Sequence, residues 1–320
     1  MKAVYLEKKA GAESLVSGEI PRPSPKAGEV LVKVHATAVM PTELKWVPTF
    51  NQPSGQPRPF PIVLSHEFSG VIESVGANVN NVKVGDEVYG LNDWFSNGAQ
   101  AEYCVVAASG LALKPKSLSH SEAAVVPISA LTAWQGLFEK GNLQRQQRVL
   151  IHGGSGAVGT FAVQLARWRG ANVTATTSAE NMDFVRALGA DKAIDYHATR
   201  FEDVICDVDV VFDGVGGDTL ERSWKVLKPG GKLVTISSTT IPLTNPRSRE
   251  AFMLVRADGQ QLVEIGRMID AGELRVFLEA VYALDDAKEA YARAQQGKMR
   301  GKISLSVIED VIIGENAKNP

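Results

Sequence analysis

Residues 148–166 read RVLIHGGSGAVGTFAVQLA, and this stretch decides the fold. The apolar run Val149–Leu150–Ile151 leads into Gly153-Gly154-x-Gly156-x-x-Gly159, and an apolar segment continues directly from the last glycine. A strand, a glycine turn and a helix in that order are the context a dinucleotide fingerprint requires. One glycine permits the tight turn. A second lets the backbone approach a pyrophosphate with no Cβ in between, and the third lets the helix pack close to the sheet. The helix N-terminus then offers unpaired N–H groups and partial positive charge to the phosphates. Gly153, Gly154, Gly156, Ala157, Val158 and Gly159 are therefore candidate cofactor-binding residues. A glycine-rich turn that binds nothing is the competing reading of such a motif standing alone.

The surroundings argue against that bland reading. Downstream, NVTATT (172–177) predicts a strand and AENMDFVRALGA (179–190) a helix. VDVVFDG (208–214) predicts a strand, DTLERSWKVLKPG (218–230) a helix, and KLVTISS (232–238) a strand. Regular alternation of this kind means a parallel sheet covered on both faces. A further helix is expected over 260–272, and residues 122–142 read as helical up to Gly141. Before Ala123 the texture differs. AVYL, EVLVKVHATAV, GVIESVG, VKVGDEVYG and AEYCVV are short β-rich pieces punctuated by turn residues. Pro21, Pro23 and Pro25 mark an extended connector, and the five prolines between Trp46 and Pro61 predict a long loop. KISLSV (302–307) predicts a strand that rejoins the first domain, ahead of a polar tail. The fold class is thus α/β, with a β-rich domain over 1–123 and 273–320 and a doubly wound parallel-sheet domain over 124–272.

Bulk properties bound the function. The chain has 320 residues, 44% hydrophobic and 22% charged, with a net charge of -2. Those values suit a soluble two-domain protein and exclude disordered or fibrous classes. The balanced charge gives no reason to expect nucleic acid or an anionic membrane as partner. Two cysteines, Cys104 and Cys206, rule out a disulfide framework, and both are expected to be small buried thiols. The N-terminus shows no signal-peptide pattern, and no run approaches the roughly 20 apolar residues of a membrane span. A cytoplasmic location is expected.

Cofactor choice turns on the end of the second strand. NAD sites place an acid there, about 20 residues on, to hold the ribose hydroxyls. Here the strand ends Thr176-Thr177-Ser178, with no acid to repel a 2′-phosphate and with hydroxyls to donate to one. NADPH is expected, with Thr177 and Ser178 at the phosphate and Glu180 read as a helix-start residue. Arg200, Arg300 and Lys302 are candidate cations for that phosphate.

Taken together, HEFSGVIESVGANVNNVKVGDEVYG, ALTAWQGL, VLIHGGSGAVG, LGADKAIDY, VFDGVGG and LKPGGKLVTISS resemble the medium-chain dehydrogenase/reductase superfamily. The branch they resemble is that of the zinc-independent quinone oxidoreductase-like enzymes, over Lys2 to Val307. The resemblance implies a GroES-like catalytic domain, a Rossmann domain and a homodimer. It implies that Thr132 lies near the nicotinamide, with a hydroxyl placed to orient it. It places Tyr196 beside the adenosine phosphate, Val215, Ile236, Ser237 and Ser238 along the cofactor rim, and Met253 and Leu254 beside the nicotinamide. Zinc-dependent relatives need an early ligand, a Gly-His-Glu segment and a third ligand near the domain junction. Here Ser65 precedes His66-Glu67, Val39-Met40-Pro41 fills the early position, and Ile128 or Ser129 the last. A catalytic zinc wants three protein ligands, so no metal is expected and His66 reads as a hydrogen-bonded residue at a strand start.

Without a Lewis acid, alcohol oxidation loses its activation, whereas a quinone or an α,β-unsaturated carbonyl is electrophilic already. The expected activity is hydride delivery from NADPH to such small-molecule acceptors. An NADP-dependent alcohol dehydrogenase or other carbonyl or enoyl reductase is the second reading, and a non-catalytic NADPH-binding protein the third. Residues 37–46 resemble the family's Asn-Pro-x-Asp-x-Lys pattern, with Met40 in place of Asn and Glu43 in place of Asp. Glu43 is either a proton source, if burial raises its pKa, or a structural acceptor. Met40, Trp46, Phe50, Trp94 and Phe95 are the candidate substrate-pocket residues.

Overall fold

The computed structural model describes residues 1–237 and 246–308. The chain divides into two compact units. The first comprises Met1–Ile128, Ala257–Gly272 and the described residues from Val276 onward; the second comprises Ser129–Arg256 and Glu273–Arg275.

The first unit is β-rich. Strand Glu29–Ala38 buries Val30, Leu31, Val32 and Val34, exposes Lys33, and is wholly buried from Ala36 to Ala38. It pairs antiparallel with Glu67–Val75 on one edge. On its other edge Tyr103–Ala107 covers one end and Lys302–Ser306 the other. The sheet runs Leu278–Ala283, Lys302–Ser306, Glu29–Ala38, Glu67–Val75, Glu87–Leu91, Leu111–Leu113. A smaller sheet joins Leu15–Glu19, Lys2–Leu6 and Ile62–Val63. The C-terminal strand thus returns to the first unit through main-chain pairing, as KISLSV predicts.

Helix Gly259–Asp270 corrects the expected boundary, which assigned it to the parallel-sheet domain. It belongs to the first unit because its polar groups bond there. The Tyr89 hydroxyl donates to the Leu262 carbonyl at 2.5 Å, and the Ser117 N–H and hydroxyl both reach Asp270. The proline-rich segment is corrected in part, since Val47–Phe50 forms a single helical turn with Pro48 in its first turn. Cys104 is buried as expected, whereas Cys206 is exposed.

The second unit is built on five parallel strands in the order Lys192–Asp195, Asn172–Thr177, Arg148–His152, Val208–Asp213, Leu227–Thr235. The chain starts on the central strand, steps outward twice, returns across it and steps out the other way. The direction of winding therefore reverses between Arg148–His152 and Val208–Asp213, which is where doubly wound sheets bind ligands. Leu150, Ile194, Val208, Val211, Leu220 and Leu233 share one buried core beneath that point. The helix expected over 218–230 is shorter, Gly217–Ser223, and Leu227–Thr235 is strand. The physical reason is Pro229. It disfavours helical backbone at Lys228 and lacks an N–H for a helix, so the segment is extended instead.

Candidate functional site

In the second unit the sequence-selected residues collect at the C-terminal ends of the strands. Gly153–Gly159 follows Arg148–His152, and helix Ala157–Trp168 opens from it with Gly156 as N-cap. Gly153 adopts a positive φ of 78°, the left-handed region open to glycine. A Cβ on Gly159 would lie 2.0 Å from the Gly153 carbonyl oxygen, so the turn itself demands that glycine. Gly156 differs. A Cβ there would meet only the Gly153 carbonyl oxygen, at 3.5 Å, an ordinary contact. The protein's own packing leaves space over Gly156, as a pyrophosphate lying against the backbone requires. The residues present fit a dinucleotide.

The neighbouring loops complete the rim. Thr177 ends its strand, buried, and its hydroxyl donates to Ser155 Oγ at 3.0 Å. The Ser178 hydroxyl donates to Glu180 Oε1 at 3.3 Å and accepts from Asn181 Nδ2 at 3.1 Å. Tyr196 is exposed and packs on His197, while its N–H donates to the Thr177 carbonyl. Val215 is exposed beside Gly153, its Cγ2 3.7 Å from where a Gly153 Cβ would sit. The Ile236 N–H donates to the Asp213 carbonyl, the Ser237 N–H to Thr235 Oγ1, and the Met253 N–H to the Thr235 carbonyl. Leu254 follows, exposed. Ser238 lies outside the described residues. Thr132 is buried in helix Pro127–Trp134.

Two further buried polar residues at this edge escape motif reading. Asp213 is fully buried, and its carboxylate accepts from the Val215 and Gly216 N–H groups at 3.0 Å and from the Thr235 hydroxyl at 2.9 Å. It shapes the loop that carries Val215. His152 is buried beneath the fingerprint, with both ring nitrogens engaged. The signal for both is position, a polar residue closing an apolar strand.

The first unit holds a second polar centre. Glu43 is fully buried. Its Oε2 accepts the Ser65 N–H at 2.7 Å and its Oε1 the His66 N–H at 3.2 Å, and His66 Nδ1 lies 3.2 Å from Oε1. Two main-chain donors on one carboxylate make Glu43 a brace for the Ser65–His66 turn, where Ser65 has a φ of 63°. The structural reading of Glu43 is thus favoured over that of a proton source. His66 Nε2 reaches the Ser96 carbonyl at 3.2 Å, and Trp94 packs against its ring and against Trp46. Beside it, buried Glu67 accepts from Lys302 Nζ and from the Ile128 N–H. Burial pushes the Glu67 carboxyl up, and the Lys302 ammonium pulls it back.

Two sequence expectations, those for Lys302 and Phe50, are corrected by this arrangement. The Lys302 ammonium is buried against Glu67, because a carboxylate in the interior needs a cation, so it is not available to a phosphate. Arg200 pairs with Glu202. Phe50 is a core residue, packed with Leu6, Ile62, Leu64 and Tyr291. Met40 is buried and caps the short turn Pro41–Lys45, Phe95 is exposed, and the Arg300 N–H bonds Glu279. Among the described residues, no three His, Cys, Asp or Glu side chains gather as a metal site needs. Among them, no helix is long and apolar enough to cross a membrane.

Residues 26–116 match the alcohol dehydrogenase GroES-like domain, and residues 188–305 match the zinc-binding dehydrogenase family. The chain is 33% identical over 329 residues to the mitochondrial NAD(P)H oxidoreductase RTN4IP1 of Danio rerio, covering 88% of this chain and 84% of the relative. It is 33% identical over 296 residues to 2-methylene-furan-3-one reductase of Solanum lycopersicum, covering 89% and 74%. The structure of the quinone oxidoreductase from Coxiella burnetii superposes with a TM-score of 0.87 at 29% identity, covering 96% of this chain and 99% of that one.

Proposed function

Because the chain belongs to the medium-chain dehydrogenase/reductase superfamily, in its quinone-oxidoreductase-like branch, we propose that this nicotinamide-dependent oxidoreductase uses NADPH to reduce quinones or α,β-unsaturated carbonyls without a metal. The observation that carries the cofactor preference is the end of strand Asn172–Thr177. It closes on Thr177-Ser178, two hydroxyls with no acid among the residues that end the strand. Glu180 follows, exposed, and accepts from Ser178. A 2′-phosphate would take over that hydroxyl and face the Glu180 charge. Glu180→Gln should therefore tighten NADPH binding severalfold and leave NADH nearly unchanged. Ser178→Asp should weaken NADPH at least tenfold more than NADH, through like-charge repulsion. Equal weakening of both in a binding titration would place the 2′-phosphate elsewhere.

The acceptor class rests on chemistry. Bound nicotinamide supplies the hydride, and the protein supplies position and field. The donor set around His66 offers no three-ligand site, and the nearby cation is Lys302, bound to Glu67. An acceptor that is electrophilic by itself suits such a site. A 2-methylene-furan-3-one, named in the tomato relative, is an enone, and the Coxiella neighbour is a quinone oxidoreductase. In this reading the fingerprint turn binds the pyrophosphate, Thr132 orients the nicotinamide, and Met40, Trp46, Trp94 and Phe95 line the acceptor site. With Glu43 committed to main-chain donors, the proton that follows hydride comes from water.

The test is NADPH oxidation by purified protein across a panel of quinones and enones, with metal analysis of the same sample. Turnover without stoichiometric zinc is expected. Stoichiometric zinc, or turnover confined to alcohols, overturns the reading. The same resemblance supports a homodimer, which sedimentation velocity reads directly.

A further inference from the structure

Four neighbouring parallel strands carry polar residues at one level of the sheet, directly below the cofactor loops. Thr176 pairs in register with His152, His152 with Asp213, and Asp213 with Thr235. All four are buried, where polar groups must be hydrogen bonded. Chemistry fixes the direction of each proton. The Ser223 hydroxyl donates to the Thr219 carbonyl at 2.6 Å, so its oxygen is left to accept from His152 Nε2–H at 3.0 Å. His152 Nδ1 then carries the lone pair and accepts from the Thr176 hydroxyl at 3.1 Å. With its own proton used, Thr176 Oγ1 accepts the Gly153 N–H at 3.3 Å. The adjacent Gly154 N–H donates to the Thr176 carbonyl at 2.9 Å. The chain of donors runs Gly153, Thr176, His152, Ser223, and ends on the Thr219 carbonyl. One end is the first glycine of the fingerprint. The other lies in helix Gly217–Ser223, which directly follows the Asp213–Gly216 loop.

We propose that His152 is a positioning residue for the bound nucleotide: as a neutral Nε2–H imidazole it fixes the pyrophosphate turn through Thr176 and ties that turn to the Asp213–Gly216 loop through Ser223. It is buried and acts through other residues. Asp213 and Glu202 favour a proton on its ring and Arg222 opposes one, but burial dominates and holds its pKa down to about 4; the Phe201 ring covers it at 4.6 Å. A second proton on Nδ1 would aim a donor at Thr176 Oγ1, reverse that hydroxyl and compete with the Gly153 N–H.

The experiment is nucleotide binding by fluorescence titration of the full chain at pH 7. It compares His152→Leu, Thr176→Val and His152→Gln, with Val226→Ala as a core control whose side chain takes no part in the hydrogen-bond chain. His152→Leu and Thr176→Val should each raise Kd about five- to tenfold, the worth of a neutral hydrogen bond. The factor should be the same for NADH and NADPH, because both carry the pyrophosphate. An error in the NADPH preference therefore leaves this test intact. His152→Gln, with one acceptor and one donor, should recover part of the loss. At saturating nucleotide kcat should be retained. Val226→Ala should lower Tm without moving Kd. A ¹⁵N spectrum of the wild type should show Nε2 protonated and Nδ1 bare, and this reading stands even where His152→Leu fails to fold. An unchanged Kd in folded Thr176→Val, a Kd rise matched by Val226→Ala, no recovery by His152→Gln, or an Nδ1–H tautomer would each overturn the proposal.

Discussion

Glu67 and Lys302 are 235 positions apart and share one buried ion pair. Nothing local marks either residue as half of a pair. Lys302, read from sequence, is one more basic residue available to a phosphate, and only the antiparallel pairing of Lys302–Ser306 with Glu29–Ala38 brings its ammonium to Glu67. Lys302→Ala leaves an uncompensated buried carboxylate and should destabilise the first unit by about 3–5 kcal/mol, read by denaturant unfolding. The double variant Glu67→Gln/Lys302→Met should recover most of that loss. Recovery no better than the single variant would show that the ion pair does more than satisfy itself. Glu43 follows the same logic. Its role is set by the two N–H groups it meets, and no motif names them.

At the scale of the element, the fingerprint turn separates two kinds of glycine. Gly159 is demanded by the protein, since its Cβ would collide with the Gly153 carbonyl. Gly159→Ala should lower Tm by several degrees, as the helix is forced off the sheet. Gly156 sits at φ -76° and ψ 175°, backbone that any residue adopts, with open space over it. Gly156→Ala should leave Tm within a degree or two and raise nucleotide Kd at least tenfold, by filling the space the pyrophosphate needs. A thermal scan with and without nucleotide checks both variants. A large loss of stability in Gly156→Ala would mean that the turn, not the ligand, requires that glycine.

At the scale of the whole molecule, His152 links the fold to pH. In the unfolded chain a histidine titrates near 6.5, whereas in the folded protein burial holds His152 near 4. Between those values the unfolded state binds the extra proton, so stability is complete above about 6.5 and declines as pH falls towards 4. The loss should be about 2 kcal/mol by pH 5, seen in the denaturant midpoint of the second unit through Trp134, Trp168 and Trp224. His152→Gln should flatten that decline, and an unaltered acid limb would assign it to other groups. Because the chain has two compact units, their transitions should be followed separately.

The parallel-sheet unit was legible because its signals are local: glycine spacing, a strand–helix alternation and a missing acid all lie within short windows of sequence. Helix length failed at 218–230, where Pro229 imposed extended backbone that periodicity does not register. Sequence alone was enough for the fold class, the glycine turn between Arg148–His152 and the following helix, and the return of strand Lys302–Ser306, because short-range pattern and main-chain pairing suffice for those. The tertiary structure alone decided that Gly259–Asp270 joins the first unit, that Phe50 is core, that Lys302 is spent on Glu67, and that His152 closes a directed hydrogen-bond chain. Each depends on which distant groups meet in the interior, where an unmatched charge or polar atom costs more than any local preference can offset.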